Sequence, residues 1–355
     1  MAAPGRQPPA AALVIAGGRG TRLWPLSRAG HPKPLFSLDG RETLLESTIR
    51  RLSPLIHAER TFVVAAADQT PRFRRTLRGL LPARNLIAEP VGRGTAVAIA
   101  YGAAVIRKRI GAATLAVLPA DHHVHPAEGL RRTLARALRL ARRHAAIVVI
   151  GVKPERAEPG YGYQEVGAAV DGGFAVRRFV EKPAARQAAR MVRSGRFLWN
   201  AGMFVMTTAT LEDELAAHAP GLAEAFGRFA SMPAGERARF YSRLNFDSFD
   251  RVVIEKSRRV LGVKARFRWY DVGSWDGLWA ALRAGERNVF SGSVVALDCD
   301  GVLARADRRL MVLLGVEDLV AVDTGDAVLI ARRSRSQELR RVFDELARRR
   351  LSHYL

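Results

Sequence analysis

The stretch Ala12-Leu13-Val14-Ile15-Ala16-Gly17-Gly18-Arg19-Gly20-Thr21-Arg22-Leu23 decides how this chain is read. An unbroken apolar run at its start is the pattern of a strand buried on both faces, and such strands belong to parallel sheets covered by helices. The glycines then end the strand in a tight turn. A glycine-rich turn at that place lets backbone N–H groups approach anionic oxygens, here beside two arginines. No Gly-Lys-Ser/Thr closes it, so it is not a Walker A loop, and the third glycine of a dinucleotide fingerprint is missing. Gly17, Gly18, Arg19, Gly20 and Thr21 are therefore candidate nucleotide-binding residues, with Arg22 a further cation at the same spot. Lys33, in His31-Pro32-Lys33-Pro34, sits on a backbone stiffened by two prolines and reads as the second cation of a triphosphate clamp.

Outward from this turn, strand patterns at 61–66, 114–118 and 146–152 alternate with helical patterns at 44–55, 95–110 and 128–144. That alternation predicts an α/β fold, a mostly parallel Rossmann-like sheet with helices on both faces. The middle of the chain predicts strands at 161–166 and 176–180 around the turn Asp171-Gly172-Gly173, a helix at 184–194, a strand at 203–206, one long helix at 210–229 and a last helix at 274–284. After Asn288 the pattern becomes short apolar runs punctuated by Asp, Gly and Thr, which suits a small all-β module, a coiled β-helix or a barrel, closed by a helix at 336–350. The expected division is residues 10–287 and 288–355.

The chain has 355 residues, 48% of them apolar, so wholesale disorder is excluded. Its net charge of +23 comes from 57 basic against 34 acidic residues, with only six lysines among the basic ones. The basic residues are spread over the whole length and aromatics make up only 7%, which argues against nucleic acid as partner and for small anionic substrates. No run of 18 apolar residues occurs, so no membrane helix is expected, and the start lacks the order of a signal peptide. Cys299 is the single cysteine and excludes an internal disulfide or a multi-cysteine zinc site. A cytoplasmic enzyme is the expectation.

Asp121 follows an apolar strand, in Leu118-Pro119-Ala120-Asp121-His122-His123, at the sheet edge where ligands of open α/β folds gather. A carboxylate there suits Mg²⁺ shared with substrate phosphates, and Asp271, in Tyr270-Asp271-Val272-Gly273-Ser274-Trp275, is the natural second ligand. The spacing of His122, His123 and His125 is no zinc pattern. Tyr161-Gly162-Tyr163, Val180-Glu181-Lys182-Pro183 and Trp199-Asn200-Ala201-Gly202 supply apolar faces, hydrogen-bonding groups for ring hydroxyls in Glu181 and Asn200, and a phosphate-holding cation in Lys182.

Taken together, GGRGTRLWPLSR at 17–28, PKP at 32–34, EPVGRGTAVAIA at 89–100, LPADHHV at 118–124, FVEKP at 179–183, WNAGMF at 199–204, FDRVVIEK at 249–256 and DVGSW at 271–275 resemble the mannose-1-phosphate guanylyltransferases, a family of sugar nucleotidyltransferases. The resemblance spans nearly the whole chain. It implies a nucleotidyltransferase (GT-A-like) α/β domain followed by a small left-handed β-helix. It implies GTP and mannose 1-phosphate as substrates, GDP-mannose and pyrophosphate as products, and Mg²⁺ as cofactor. It implies Arg22 and Lys33 as catalytic cations and Asp121 and Asp271 as metal ligands. Glu89, Pro90, Arg93 and Thr95 would belong to the base-reading strip, and Tyr161, Gly162, Glu181, Lys182 and Asn200 to the sugar-phosphate contacts. That strip departs from the family at Gly94 and Val97, where Asn and Pro are usual. No room is expected for the isomerase domain that some members carry at the C-terminus, and dimerisation through the β module is expected by analogy. The alternatives are a nucleotidyltransferase for another base or sugar, and a non-catalytic regulatory homologue.

Overall fold

The structure is a computed structural model that describes residues 8–17, 23–28, 32–38, 41–229, 231–283 and 285–355. The strands are β1 (Ala10–Ile15), β2 (Thr61–Ala66), β3 (Leu86–Glu89), β4 (Thr114–Pro119), β5 (His122–His125), β6 (Ile147–Val152), β7 (Tyr163–Val170), β8 (Gly173–Val180), β9 (Phe197–Thr207), β10 (Val260–Lys264), β11 (Arg268–Asp271), β12 (Val289–Ser291), β13 (Val294–Leu297), β14 (Leu303–Arg305), β15 (Met311–Leu314), β16 (Leu319–Asp323) and β17 (Val328–Arg332). They fall into two compact units. The first is Met1–Gly17, Ile49–Ala120 and Val124–Arg268; the second is Gly18–Thr48, Asp121–His123 and Trp269–Leu355.

The first unit is built on a nine-stranded sheet in the order β3-β2-β1-β4-β9-β6-β10-β8-β7. β3, β2, β1 and β4 run parallel, and β9 is antiparallel to both β4 and β6. β1 is an interior strand between β2 and β4, and Ala11, Ala12, Leu13 and Val14 are fully buried, as its apolar run requires. Helix Thr95–Ile110 is apolar nearly all round and is buried over most of its length. A Cβ at Gly102 would lie 2.6 Å from Leu13 Cδ1, so this glycine sets how closely the helix packs on β1. The single helix expected over 210–229 is two helices, Thr208–His218 and Pro220–Phe229. Pro220 cannot continue the first helix, disfavours helical backbone at Ala219 and opens the second.

The second unit carries the β-rich module. β12, β14 and β16 pair in parallel, as do β13 and β15, with β17 antiparallel on β16. Val302, Ala304 and Ala321 are buried against Val294, Met311 and Leu313 of β13 and β15, whereas Leu303, Val320 and Val322 face a second cluster with Val272, Trp275, Leu278 and Leu339. The terminal segment is a 3₁₀ turn (Arg333–Glu338) followed by the helix Leu339–Arg348. β5 and β11 form a two-stranded ribbon.

Candidate active site

In the second unit a buried lysine joins two acids that are far apart in sequence. Pro32 and Pro34 flank Lys33, and Lys33–Leu35 close one 3₁₀ turn in which the Phe36 N–H donates to Lys33 O at 3.0 Å. Lys33 is 5% exposed. Its Nζ lies 2.7 Å from Asp121 Oδ2 and 3.3 Å from Asp271 Oδ1. Burial works against the ammonium charge, but the two carboxylates outweigh it and hold the Lys33 pKa above its ordinary value. Burial likewise works against the Asp121 carboxylate, and Lys33, then His122, hold it below the usual range.

The local sequence explains how Asp271 is presented. A Cβ at Gly273 would come within 2.9 Å of Asp271 Oδ2, so residue 273 leaves the carboxylate its space. Ser274 Oγ accepts the Gly277 N–H at 3.1 Å and caps helix Trp275–Leu282. Trp275 is fully buried and donates from Nε1 to Trp24 O at 3.1 Å. The Trp269 Nε1–H donates to His122 Nδ1 at 3.0 Å, which makes Nδ1 the acceptor and places a proton on Nε2, 3.8 Å from Asp271 Oδ1.

The acid pair fits Mg²⁺. Both donors are hard oxygens, and the Lys33 ammonium already occupies the place of a cation between them. Among the described residues no cluster of three or more His, Cys, Asp or Glu side chains suited to a metal occurs. Two carboxylates plus substrate oxygens and water are the usual coordination of Mg²⁺.

The first unit holds two clusters of its own. Glu89 ends β3, is 3% exposed, and accepts from Tyr241 Oη at 2.6 Å and from the Arg93 N–H at 3.2 Å, both on Oε1. Burial pushes the Glu89 carboxyl above its ordinary pKa, with the two hydrogen bonds opposing it. Its Oε2 lies 3.9 Å from where a Cβ on Gly17 would stand, at the end of β1. Pro90 is half-buried beside it. The Arg93 guanidinium donates to Ser242 O, and Thr95 Oγ1 accepts the Phe249 N–H at 3.0 Å. Gly94 holds φ +85° and ψ 169°, a conformation essentially restricted to glycine.

The other cluster forms where β6, β7, β8 and β9 meet. Val152 pairs with Trp199, Trp199 with Tyr163, and Tyr163 with Val180, which brings 161–163, 180–182 and 199–202 together. Tyr161 and Trp199 pack edge to face with centroids 5.3 Å apart. The Asn200 N–H donates to Gly162 O at 2.8 Å. A Cβ at Gly162 would stand 2.6 Å from Glu181 Oε2 and 3.2 Å from Asn200 Cβ, so glycine keeps this cradle open. Lys182 adopts φ +49°, and its Nζ lies 3.1 Å from Glu181 Oε1. Asn200 Nδ2 donates to Asp250 Oδ1 at 2.7 Å, and Glu255 Oε1 accepts the Glu181 N–H at 2.7 Å.

Gly18, Arg19, Gly20, Thr21 and Arg22 lie outside the described residues. Sequence reasoning placed Arg22 and Lys33 with Asp121 and Asp271, and separately Tyr161, Gly162, Glu181, Lys182 and Asn200; Lys33, Asp121 and Asp271 meet in the structure, and the second set forms one cluster. It assigned no part to Asp250, Glu255, Tyr241 or the His122–Trp269 pair. Asp250 and Glu255 lie in FDRVVIEK, so their signal was present without a role attached.

The nucleotidyl transferase family model matches residues 11–288, and the model of the MannoseP isomerase/GMP-like beta-helix domain matches residues 292–346. The chain is 35% identical to the xanthan biosynthesis protein XanB of Xanthomonas campestris pv. campestris, over 94% of this chain and 72% of that protein. It is 33% identical to a mannose-1-phosphate guanylyltransferase of Escherichia coli, over 96% of this chain and 75% of the relative. Among solved structures it is similar to one from Thermus thermophilus described as a mannose-1-phosphate geranyltransferase, with a TM-score of 0.87 and 37% identity over 95% of this chain and 99% of the other. No helix among the described residues is long and apolar enough to cross a membrane.

Proposed function

Because the chain belongs to the nucleotidyl transferase family, we propose that it makes GDP-mannose and pyrophosphate from GTP and α-D-mannose 1-phosphate. The observation that carries this reading is the meeting of Asp121 and Asp271 at the Lys33 ammonium. The relatives named for mannose-1-phosphate guanylyl transfer support the choice of base and sugar.

In this reading an oxygen of the sugar phosphate attacks the α-phosphorus of GTP, its bond to the bridging oxygen breaks, and pyrophosphate leaves. The attacking group is already an anion, so no Ser, Cys or His nucleophile is required. The obstacle is the approach of two anions. Lys33 offsets it as a positioned cation, and Arg22 is its partner in the glycine-rich turn. Asp121 and Asp271 would hold Mg²⁺. When bound, that ion neutralises charge on the phosphate oxygens and on the leaving group. Gly17, Gly18, Arg19, Gly20 and Thr21 cradle the phosphates. Glu89, Pro90, Arg93 and Thr95 face the base, with Oε2 of the Glu89 carboxylate as acceptor for ring N–H groups. Tyr161, Gly162, Glu181, Lys182 and Asn200 hold the sugar phosphate.

Residues 10–287 carry this chemistry in the proposal and 288–355 form the β-helix-like module, in a cytoplasmic enzyme. The exposed apolar row Val295, Leu297, Val312 and Leu314, paired across β13 and β15, supports association of two copies. The test is a panel of nucleoside triphosphates crossed with hexose 1-phosphates, read as pyrophosphate release. The proposal expects the highest kcat/KM for GTP with mannose 1-phosphate. A clear preference for another pair would reassign the substrates, and no release with any pair would reject the activity.

A further inference from the structure

We infer that Asp250 is a specificity-determining residue that reads a hydroxyl of the sugar in the cradle of Gly162, Glu181 and Asn200. The inference rests on the reading that this cradle holds the sugar, and adds a residue to which that reading gives no part.

The Asn200 amide has only one workable orientation. The Gly202 N–H donates to Asn200 Oδ1 at 3.1 Å, so Nδ2, a donor, must face Asp250, whose Oδ1 receives it at 2.7 Å. Among the described residues the Asp250 carboxyl group otherwise accepts only its own backbone N–H, which leaves it room for a further donor beside the cradle. Asp250 opens a π-helical turn, Asp250–Ile254, in which the Glu255 N–H donates to Asp250 O at 2.9 Å. Single π turns of this kind are frequent at functional sites.

The charges around Asp250 decide what it can bind. Glu181 faces it from the end of β8, with Lys182 from the same turn. Glu255, from its own turn, is engaged by the Glu181 N–H. Arg251, next in the chain, is taken by Asp247 at 3.0 Å. Asp250 and Glu181, side by side at the Asn200 amide, suit the O–H donors of the sugar ring and leave the phosphate to Lys182, and a carboxyl group accepts from hydroxyls through its oxygens. Burial, then Glu181, push the Asp250 carboxyl up to about 7, so hydroxyl donors, which favour the ionised form, would compete with a proton for it near that pH. A site built around a substrate hydroxyl rejects the analogue lacking it far more strongly than an apolar pocket does.

The experiment measures kcat/KM for mannose 1-phosphate and its singly deoxygenated analogues with the wild-type chain, Asp250→Asn and Asp250→Ala. Thermal unfolding identifies folded variants, and KM for GTP is the internal control. We expect Asp250→Asn to raise KM for mannose 1-phosphate by about ten- to a hundredfold with KM for GTP within about twofold. We also expect one deoxy analogue to lose its disadvantage in both variants while the others keep theirs. The wild-type KM for the sugar phosphate should fall as pH rises through about 7, and the Asp250→Asn profile should be flat there. An equal loss for every analogue, or unchanged KM values, would overturn the inference and leave Asp250 as a support for Asn200. Failure of the wild-type chain to turn over any hexose 1-phosphate would instead overturn the proposed activity, and this inference with it.

Discussion

Lys33 Nζ stands 2.7 Å from Asp121 Oδ2, although 88 residues separate them in sequence, and the same ammonium reaches Asp271 Oδ1 at 3.3 Å. One buried cation therefore holds together two acids that would otherwise repel each other. Removing it leaves uncompensated negative charge, which costs several kcal/mol when such pairs are buried. We predict that Lys33→Met lowers stability by on the order of 3 kcal/mol in chelator and regains part of it on addition of Mg²⁺, by more than the wild-type chain does. Thermal unfolding with and without EDTA checks this. The same variant should lose about 10²- to 10³-fold in kcat, the usual cost of one positioned electrostatic group.

The buried acid beside Asn200 makes a different, pH-dependent prediction. In the unfolded chain Asp250 ionises near its ordinary value of 3.8, whereas the folded state holds the proton up to about 7. Between those values the native state binds more protons, so this group's contribution makes stability fall as pH rises from about 4 to about 7. Asp250→Asn removes the contribution. Denaturant titrations across that range should show a shallower decline for the variant than for the wild-type chain; parallel curves would contradict the raised value.

Tyr241 donates to Glu89 Oε1 at 2.6 Å across 152 residues, and Tyr241 itself is fully buried. Tyr241→Phe leaves one Glu89 oxygen with the Arg93 N–H as its remaining donor. Loss of one hydrogen bond to a buried charged group costs about 1–3 kcal/mol. We expect KM for GTP to rise several-fold or more, discrimination between GTP and ATP to narrow, and KM for the sugar phosphate to stay put. Steady-state kinetics with both nucleotides separate this from a general loss of stability, which would leave the nucleotide preference intact.

At Gly94 the backbone itself makes the prediction. With φ at +85°, and Phe246 O 3.3 Å from where a Cβ would stand, Gly94→Ala should cost about 1–3 kcal/mol and lower the unfolding midpoint by several degrees. An unchanged midpoint would show that the loop before helix Thr95–Ile110 relaxes without strain.

Much of the fold was legible because its elements have unambiguous patterns. The apolar run of β1 and the Ala-rich helix Thr95–Ile110 have buried environments that admit little else. The division of the expected 210–229 helix was also encoded, in Pro220, but apolar periodicity continues across the break and masked it. β3, β5, β10, β11 and β12 were missed: β5 (His-His-Val-His) and β11 (Arg-Trp-Tyr-Asp) lack an apolar run, and β3, β10 and β12 are short runs not set off by a regular pattern of turns. In the site, Lys33, Asp121 and Asp271 were readable from motifs, but the direct ion pairing between them was not, since contact between residues so distant in sequence is a property of the packed chain. Asp250 and Tyr241 were silent for the same reason: each matters through a partner, Asn200 or Glu89, that lies 50 or 152 residues away.

The central claim, that Asp121 and Asp271 hold the divalent ion on which nucleotidyl transfer depends, is tested most directly by pyrophosphate release from GTP and mannose 1-phosphate. The assay compares the wild-type chain with Asp121→Asn and Asp271→Asn, in Mg²⁺ and in EDTA. The account predicts one pyrophosphate per GDP-mannose for the wild-type chain in Mg²⁺, no measurable turnover in EDTA, and at least a ~10²-fold loss in each variant. Turnover that survives EDTA, or variants that match the wild-type chain, would contradict it.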